Sequence, residues 1–194
     1  MKVIGLGHRA QNGKDQMCQM LISECGKKYQ IMRFAFADAL KREVNAMLER
    51  AGGVDAFFAR KDLLPWVVRE ENPDMKDPLC PLGKFRTLLQ YVGVLRRESD
   101  PDYWVNQTIK DINKHQPDLA IITDMRFQNE VKMVKQLGGY TCRVRRTGYV
   151  SNVPLHISET CLDSMTDWDY QIDAADLGQL KEQALRVFDN IIKL

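Results

Sequence analysis

The sequence predicts an α/β fold in three layers, with a central and mostly parallel sheet between helices. Short apolar runs alternate with segments of helical periodicity along almost the whole chain. Such alternation is typical of parallel sheets, because the crossover between two parallel strands usually contains a helix. Ligands of these sheets bind beyond the carboxyl ends of the strands, so the residues that follow each strand are the candidate site.

Five segments are predicted as strands because they are short, apolar and bounded by turn residues. They cover 3–6, 31–36, 119–123, 140–144 and 169–173. Six segments are predicted as helices because their apolar residues recur at intervals of three and four. They cover 16–28, 39–51, 84–94, 103–114, 127–137 and 177–192. The stretch 54–82 contains four prolines among many charges, and is predicted as a mobile insertion or an irregular helical arm.

The composition excludes several classes of protein. The 194 residues carry a net charge of only +2, which gives no support for a nucleic-acid-binding surface. No apolar run is long enough to span a bilayer, so we expect no membrane partner. The five cysteines form no C-x-x-C pair, which favours free thiols in a reducing cytosol over a disulfide framework or a zinc site. We therefore expect a cytoplasmic protein.

A loop with the features of a phosphate-binding site follows the first predicted strand. It runs from Gly7 to Asp15, and its Gly13-Lys14 pair stands at the start of the next helix. Glycine lets backbone N–H groups point at an anion, lysine reaches the distal phosphates, and the helix N-terminus adds a positive dipole. The loop departs from the pattern G-x-x-x-x-G-K-[ST], since His8 replaces the first glycine and Asp15 the hydroxyl residue. An ordinary turn between strand and helix is the alternative.

An acidic residue and a basic residue follow the apolar run 119–123. Asp124 ends this run, and Arg126 lies just beyond it. A carboxylate at the tip of a buried strand resembles a Walker B acid, which holds magnesium directly or through water. Arg126 is suited to neutralise a transferred group. The alternative is that Asp124 caps the following helix and pairs with Arg126.

Two other segments have side chains suited to a second ligand. Asp38 and Lys41 follow the second predicted strand, although Asp38 also suits a helix N-cap. Arg86, Gln90 and Arg97 are four and seven residues apart, so they can share one face of a helix. Arginine forks suit phosphate and glutamine suits a base edge, while a solvated charged face is the alternative.

A basic cluster leaves the fourth predicted strand. Arg143, Arg145 and Arg146 follow one another closely there. We expect them to act as a phosphate clamp of the kind that a lid supplies, with the lid at about 145–160. His156 within this segment is expected to be structural.

Taken in order, these motifs resemble those of the phage-type deoxynucleoside monophosphate kinases, which belong to the P-loop nucleoside monophosphate kinase superfamily. The similarity covers nearly the whole chain, and each motif is short, so it is their shared order that is specific. The motifs are Gly13-Lys14-Asp15, Phe36-Ala37-Asp38 with Leu40-Lys41, the run from Arg86 to Gly93, Asp100-Pro101 with Trp104, the run from Thr123 to Glu130, Gly138-Gly139, and His156-x-Ser158-Glu159.

The resemblance implies a P-loop NTPase fold with an acceptor-binding arm at about 52–84 and a lid, all within one kinase domain spanning 1–194. It also implies ATP and Mg²⁺ as co-substrates and deoxynucleotide acceptors in a bacterial or phage-infected cytosol. The implied ATP ligands are His8, Arg9, Ala10, Asn12, Gly13, Lys14, Asp15 and Gln16. The implied transfer residues are Lys14, Asp124, Arg126 and Arg145. The implied acceptor ligands are Asp38, Lys41, Arg86, Gln90, Arg97, Trp104 and Glu159.

Two departures from the family pattern concern the loop. The family has a glycine at the position of His8 and a threonine at the position of Gln16. Loss of that hydroxyl leaves Asp15 or Asp124 as the predicted metal ligand, directly or through water.

The predicted reaction is phosphoryl transfer from ATP to a nucleoside or deoxynucleoside monophosphate. A kinase similar to the animal-type phosphomevalonate kinases is the enzymatic alternative, because it shares the Gly-Lys-Asp loop, the Asp-x-Arg after a strand, and the stretch from Ser158 to Asp163. Two non-enzymatic alternatives are a nucleotide-binding regulator and an interaction module in a replication assembly. The accepted base and the oligomeric state stay open, and a homodimer would fit the resemblance.

Overall fold

The computed structural model of the chain describes residues 1–60, 66–71, 74–149 and 160–193. It divides into two compact units. The first, here called the sheet unit, comprises Met1–Ala35 and Thr108–Leu194, and the second, the helical unit, comprises Phe36–Gln107. The 52–84 segment falls within the helical unit.

The sheet unit is built on five strands that all run parallel. The strands are β1 (Lys2–Gly7), β2 (Ile31–Phe34), β3 (Leu119–Met125), β4 (Tyr140–Arg146) and β5 (Tyr170–Ala174). Their order across the sheet is β2-β3-β1-β4-β5. The α/β prediction is confirmed, and the sheet that was predicted to be mostly parallel is entirely so.

Seven helices are present among the described residues. They are α1 (Lys14–Cys25), α2 (Phe36–Arg50), α3 (Val54–Phe58), α4 (Arg86–Ser99), α5 (Tyr103–His115), α6 (Gln128–Gln136) and α7 (Leu177–Lys193). The six predicted helices are all observed. The short α3 lies in the stretch that was predicted to be irregular. In the described part of the chain, no helix is both long and apolar enough to cross a membrane, and all five cysteines are free thiols.

The helices of the sheet unit cover both faces of the sheet, which gives the three layers. On one face, Ile4 and Leu6 of β1 belong to a buried cluster with Leu21 of α1 and Phe188 of α7. On the other face, α6 packs so closely that a Cβ added to Gly5 would lie 2.9 Å from Val134 Cγ2. The carboxyl ends of β1, β3 and β4 meet at one edge, as in other parallel sheets.

The helical unit has a core of its own, in which Val44 and Leu48 of α2 and Leu88 and Val92 of α4 are buried. The start of α4 is held by a side chain from the preceding loop. The Glu70 carboxylate accepts hydrogen bonds from the backbone N–H groups of Arg86 (2.7 Å) and Thr87 (3.0 Å). A carboxylate there both caps two backbone donors and complements the helix dipole.

The end of β1 is covered by an indole ring. Trp168 is buried, and its Nε1–H donates to the Met165 carbonyl at 3.0 Å. A Cβ added to Gly7 would overlap Trp168 Cη2 and lie 2.7 Å from Cζ3. The strand therefore needs glycine here because an aromatic ring occupies the position of any side chain.

We expect Gly7→Ala to lower the free energy of unfolding by about 1–3 kcal/mol, because it overpacks a closed core. Chemical denaturation of the two proteins measures the difference. The control is Gly178→Ala in the first turn of α7, where the new Cβ meets only the Asp176 carboxylate, at 3.2 Å. A Gly7→Ala variant as stable as that control would contradict the role given to Trp168.

Candidate functional site

The loop between β1 and α1 has an unusual backbone. Three of its residues lie in the left-handed region, namely His8 (φ 88°), Gln11 (φ 59°) and Gly13 (φ 93°). For a residue with a Cβ, this conformation costs on the order of 1–3 kcal/mol and persists only where the surroundings impose it. This gives a physical reason for the glycine that the family pattern has at position 8.

The Lys14 side chain is folded into the loop. It is only 6% exposed, and its Nζ donates to the carbonyl oxygens of His8 (3.0 Å) and Arg9 (2.6 Å). Around it, the backbone N–H groups of Gly13, Asp15 and Gln16 have no hydrogen-bond acceptor among the described residues. A buried cation beside unpaired N–H groups at a helix N-terminus is suited to bind an anion.

Asn12 braces the loop from within. Its Nδ2 donates to the carbonyls of Ala10 (2.9 Å) and Arg9 (3.2 Å), and its Oδ1 accepts the backbone N–H of Arg146 at 2.9 Å. These bonds use one side chain to join the loop to β4. The predicted ATP ligand Asn12 is thus a support of the loop conformation, and ligand contact by its side chain stays a prediction.

A charged cluster closes the outer side of the loop. The Asp163 carboxylate accepts from Arg9 Nη2 at 2.7 Å and Nε at 3.3 Å, and lies 3.5 Å from His8 Nε2. Arg143 is the register partner of Gly7, directly beside the loop. Burial lowers the pKa of His8, and the charges of Arg143, Arg9 and Lys14 lower it further, outweighing the opposite effect of Asp163. The imidazole is therefore neutral at pH 7.

Asp163 was not predicted as a site residue, although it ends the stretch shared with the phosphomevalonate kinases. That shared stretch was the one sequence signal for it. Its place in the cluster depends on a contact with Arg9, 154 residues away in the chain. Local patterns contain no information about such a contact.

The three arginines of the predicted clamp all lie within β4. β4 continues to Arg146 because its pairing with β5 holds to the end, with Arg145 opposite Asp173. Arg145 is half exposed, and its Nε donates to Asp173 Oδ1 at 2.6 Å. Arg143 donates to Gln171 Oε1 at 2.8 Å. The expectation that these arginines leave the strand is therefore wrong, and a transfer role for Arg145 stays a prediction.

The start of α6 is capped by a residue other than Asp124. Phe127 occupies the N-cap position, and the buried Glu130 carboxylate accepts from the N–H groups of Arg126 (2.6 Å) and Phe127 (3.0 Å). The alternative that made Asp124 the helix cap is wrong. Asp124 is half-buried at the end of β3, at the carboxyl edge of the sheet.

The first turn of α1 carries two further predicted ligands, both exposed. The Asp15 side chain is 68% exposed and lies 3.7 Å from Arg33 Nε of β2. Gln16 is exposed and supplies no hydroxyl. In the described part of the chain, no group of three or more His, Cys, Asp or Glu residues could hold a metal.

Lys41 lies between two carboxylates within the helical unit. Its Nζ is 2.9 Å from Asp77 Oδ2 and 3.8 Å from Asp38 Oδ1. Burial alone would raise the pKa of Asp77, but hydrogen bonds from Lys41 and the N–H of Leu79, with the nearby charge of Lys84, lower it. α2 begins at Phe36, so Asp38 lies in its first turn and is not the N-cap that the sequence suggested.

The three polar residues predicted to share a helix face all lie on α4. Arg86 and Gln90 are exposed. Arg97 Nη1 and Trp104 Nε1 each donate to the Gly93 carbonyl at 3.2 Å. Trp104 is only 2% exposed, so the structure gives it a packing role, and its predicted contact with an acceptor stays a prediction.

Two predicted features lie outside the described residues. They are the acceptor ligand Glu159, with His156 beside it, and most of the lid at about 145–160.

Comparison with known proteins gave two matches of interest, and no family model matches the chain. A "putative deoxynucleotide monophosphate kinase" of Acanthamoeba polyphaga mimivirus is 28% identical over 204 aligned positions, which cover 98% of this chain and 97% of that protein. The uncharacterized protein ORF77 of Ictalurid herpesvirus 1 (strain Auburn) is 33% identical over 87 residues, which are 42% of this chain and 38% of that protein.

The lowered pKa of His8 predicts a loss of stability in acid. Below the ordinary imidazole pKa of about 6.5, the unfolded chain takes up a proton that the folded loop resists, so the free energy of unfolding falls as the pH decreases. The slope contributed by one proton is at most about 1.4 kcal/mol per pH unit. Urea denaturation between pH 8 and pH 5 should show this fall for the wild type and a shallower one for His8→Gln. At pH 8 both proteins lack the charge, so their difference there measures packing alone. Parallel profiles would contradict the prediction.

Proposed function

We propose that the chain transfers a phosphoryl group from ATP to a nucleoside monophosphate, most suitably a deoxynucleotide, giving ADP and the diphosphate. The observation that supports this most directly is the buried Lys14 ammonium in a loop at the carboxyl edge of a parallel sheet. The similarity to the mimivirus protein over nearly the full length of both chains supports the acceptor class.

The Lys14 side chain is buried and positioned in the loop before any phosphate binds. Its ammonium has left water and is paired with two carbonyl oxygens, so little additional desolvation is needed when an anion takes their place. Phosphate oxygens carry a full negative charge where carbonyls carry only a partial charge, so an ammonium–phosphate pair is stronger than the ammonium–carbonyl bonds that it replaces. The N–H groups of Gly13, Asp15 and Gln16 would complete the cradle.

A magnesium ion would fit this site through Asp124 better than through Asp15. Asp124 lies at the end of β3, whereas Asp15 is largely exposed and near Arg33. Bound magnesium would neutralise charge on the β- and γ-phosphate oxygens. Mg²⁺ in nucleotide sites usually keeps several waters and takes one or two carboxylates, which agrees with a site of few acidic residues.

In the transfer step, an oxygen of the acceptor phosphate forms a bond to the γ-phosphorus while the bond to the β–γ bridging oxygen breaks. The acceptor is already an anion, so no general base is required. Lys14 follows the charge that develops on the leaving ADP. Among the basic residues, we assign Arg126 and Arg143 to the transferred group. Arg143 replaces Arg145 in this role because it lies beside the loop, whereas Arg145 is paired with Asp173.

Residues of the helical unit are proposed to bind the acceptor. Arg86 and Gln90 are exposed on α4, with Arg86 suited to phosphate and Gln90 to a base edge. Lys41 is neutralised by Asp77 and Asp38, so we expect it to position these carboxylates rather than to bind phosphate.

We expect ATP to be consumed only when a nucleoside monophosphate is present. The measurement is a coupled ADP-release assay with ATP and Mg²⁺, against a panel of ribonucleoside and deoxynucleoside monophosphates and phosphomevalonate. Lys14→Met should reduce kcat by about 10²–10³-fold, the effect of removing one charge-stabilising donor. Lys132→Met, which removes an exposed lysine of α6, is the matched control and should keep full activity.

Other results of this assay would favour one of the alternative functions. Turnover with phosphomevalonate alone would identify a small-molecule kinase of that class. A folded protein that binds ATP and turns over no acceptor would contradict the proposed activity and leave a nucleotide-binding regulator. Protein that neither binds nor hydrolyses ATP would leave the interaction module.

A further inference from the structure

Between two successive register pairs, β3 contains one residue more than its neighbour β1. Gly5 pairs with Ile122, and the next register pair is Gly7 with Met125. Two residues of β1 are therefore matched by three of β3, which is a β-bulge. Bulges in parallel pairs are rare, and bulges in general are over-represented next to active sites, where they redirect side chains.

The bulge changes which side chains share a face. Ile121 belongs to the buried cluster under α1 and α7. Met125 lies on the opposite face, since a Cβ added to Gly5 would be 2.8 Å from its Sδ. In a regular strand, residues four apart share a face, so the extra residue lies between them. Counting forward from Ile121 places Thr123 on the α1 face, and counting back from Met125 places Asp124 there as well.

The Thr123 hydroxyl is a buried group without a partner. The residue is 2% exposed, and Oγ1 has no hydrogen-bond partner among the residues that the structure describes. A native protein rarely leaves a buried hydroxyl unpaired, because its desolvation is then uncompensated. A ligand that bonds to this hydroxyl when it is bound would explain why the hydroxyl has no partner in the protein.

The first turn of α1 crosses the sheet above this hydroxyl. The chain enters α1 from the end of β1, and Asp15 in its first turn reaches Arg33 of β2 at 3.7 Å. β3 lies between β1 and β2, so the first turn must pass over the end of β3. Thr123, on the same face, is therefore below the N-terminus of α1, where the loop sequence lacks a hydroxyl.

We infer that Thr123 supplies the hydroxyl that the phosphate loop lacks, and that with Asp124 it holds the magnesium ion accompanying the nucleotide, either directly or through one of the ion's waters. This inference rests on the proposed nucleotide-binding function of the loop. An ionised Asp15 can only accept hydrogen bonds, and the Gln16 amide donates and accepts through different atoms, so neither replaces a hydroxyl oxygen. The bulge thus places Asp124 on the same face as Thr123, so that both side chains can serve one ion.

The test is calorimetric titration of ADP into the intact protein, with and without Mg²⁺. Thr123→Val keeps the shape of the side chain and removes the hydroxyl, while Thr123→Ser keeps the hydroxyl. We expect Thr123→Val to bind ADP alone like the wild type and to lose about 10-fold or more of the Mg²⁺-dependent gain in affinity. Thr123→Ser should retain the gain. The ligand-free Val variant should melt no lower than the wild type, since a buried unpaired group is removed.

Thr141→Val is the matched control. Thr141 is also fully buried in the sheet, but its hydroxyl pairs with Asp169 at 2.8 Å. That variant should melt at a lower temperature and keep the Mg²⁺-dependent gain. If Thr123→Val does not fold, Thr123→Ala provides a second variant without the hydroxyl and must show the same loss.

Three results would overturn the inference. A Val variant with the full Mg²⁺-dependent gain would show that the hydroxyl has no part in holding the ion. If the wild-type protein binds ADP equally with and without Mg²⁺, the proposed ion site is refuted while the nucleotide site stands. Wild-type protein that binds no ADP in either condition would end both this inference and the proposed function.

Discussion

The burial of one ammonium group, that of Lys14, is the constraint on which the candidate site depends. A cation inside a protein is costly unless it is paired, and here the loop pairs it with its own carbonyl oxygens. To bring those carbonyls around Nζ, the backbone must turn through left-handed conformations, including the strained one at His8. The buried charge, the strained backbone and the start of α1 are thus coupled through the same two carbonyl groups.

The strain is held by contacts on both sides of the loop. Asn12 joins it to β4, and the Arg9 pair with Asp163 joins it to the segment before β5. Neither contact involves the face where N–H groups of α1 have no acceptor. A loop fixed in this way has already lost the conformational entropy that binding would otherwise cost. The contacts of Asn12 and Arg9 are therefore separate from the backbone N–H groups proposed to bind phosphate.

The sequence predicted the elements well because periodicity is a local property. The five strands and six helices predicted from apolar spacing are observed, and Gly13-Lys14 lies at the start of a helix that follows a strand, as the sequence predicts. What the sequence could not predict depends on contacts between distant segments. Asp163 meets Arg9 across the chain, and the pairing of β4 with β5 draws Arg146 into the strand. The need for glycine at position 7 is likewise evident only in the folded chain, where the Trp168 ring occupies the place of a side chain.

The bulge in β3 illustrates why a residue that is missing from a sequence motif should be sought elsewhere in the folded chain. In the sequence, Asp15 and Gln16 mark the loss of a hydroxyl from α1, which suggests a weakened site. In the structure, Thr123 lies on the sheet face that α1 covers, with its Oγ1 buried and unpaired, and one extra residue in β3 places Asp124 on the same face. The free energy lost by an unpaired hydroxyl would be recovered only with a ligand present. Selection for binding can maintain such a group, whereas selection for stability alone would replace it with valine.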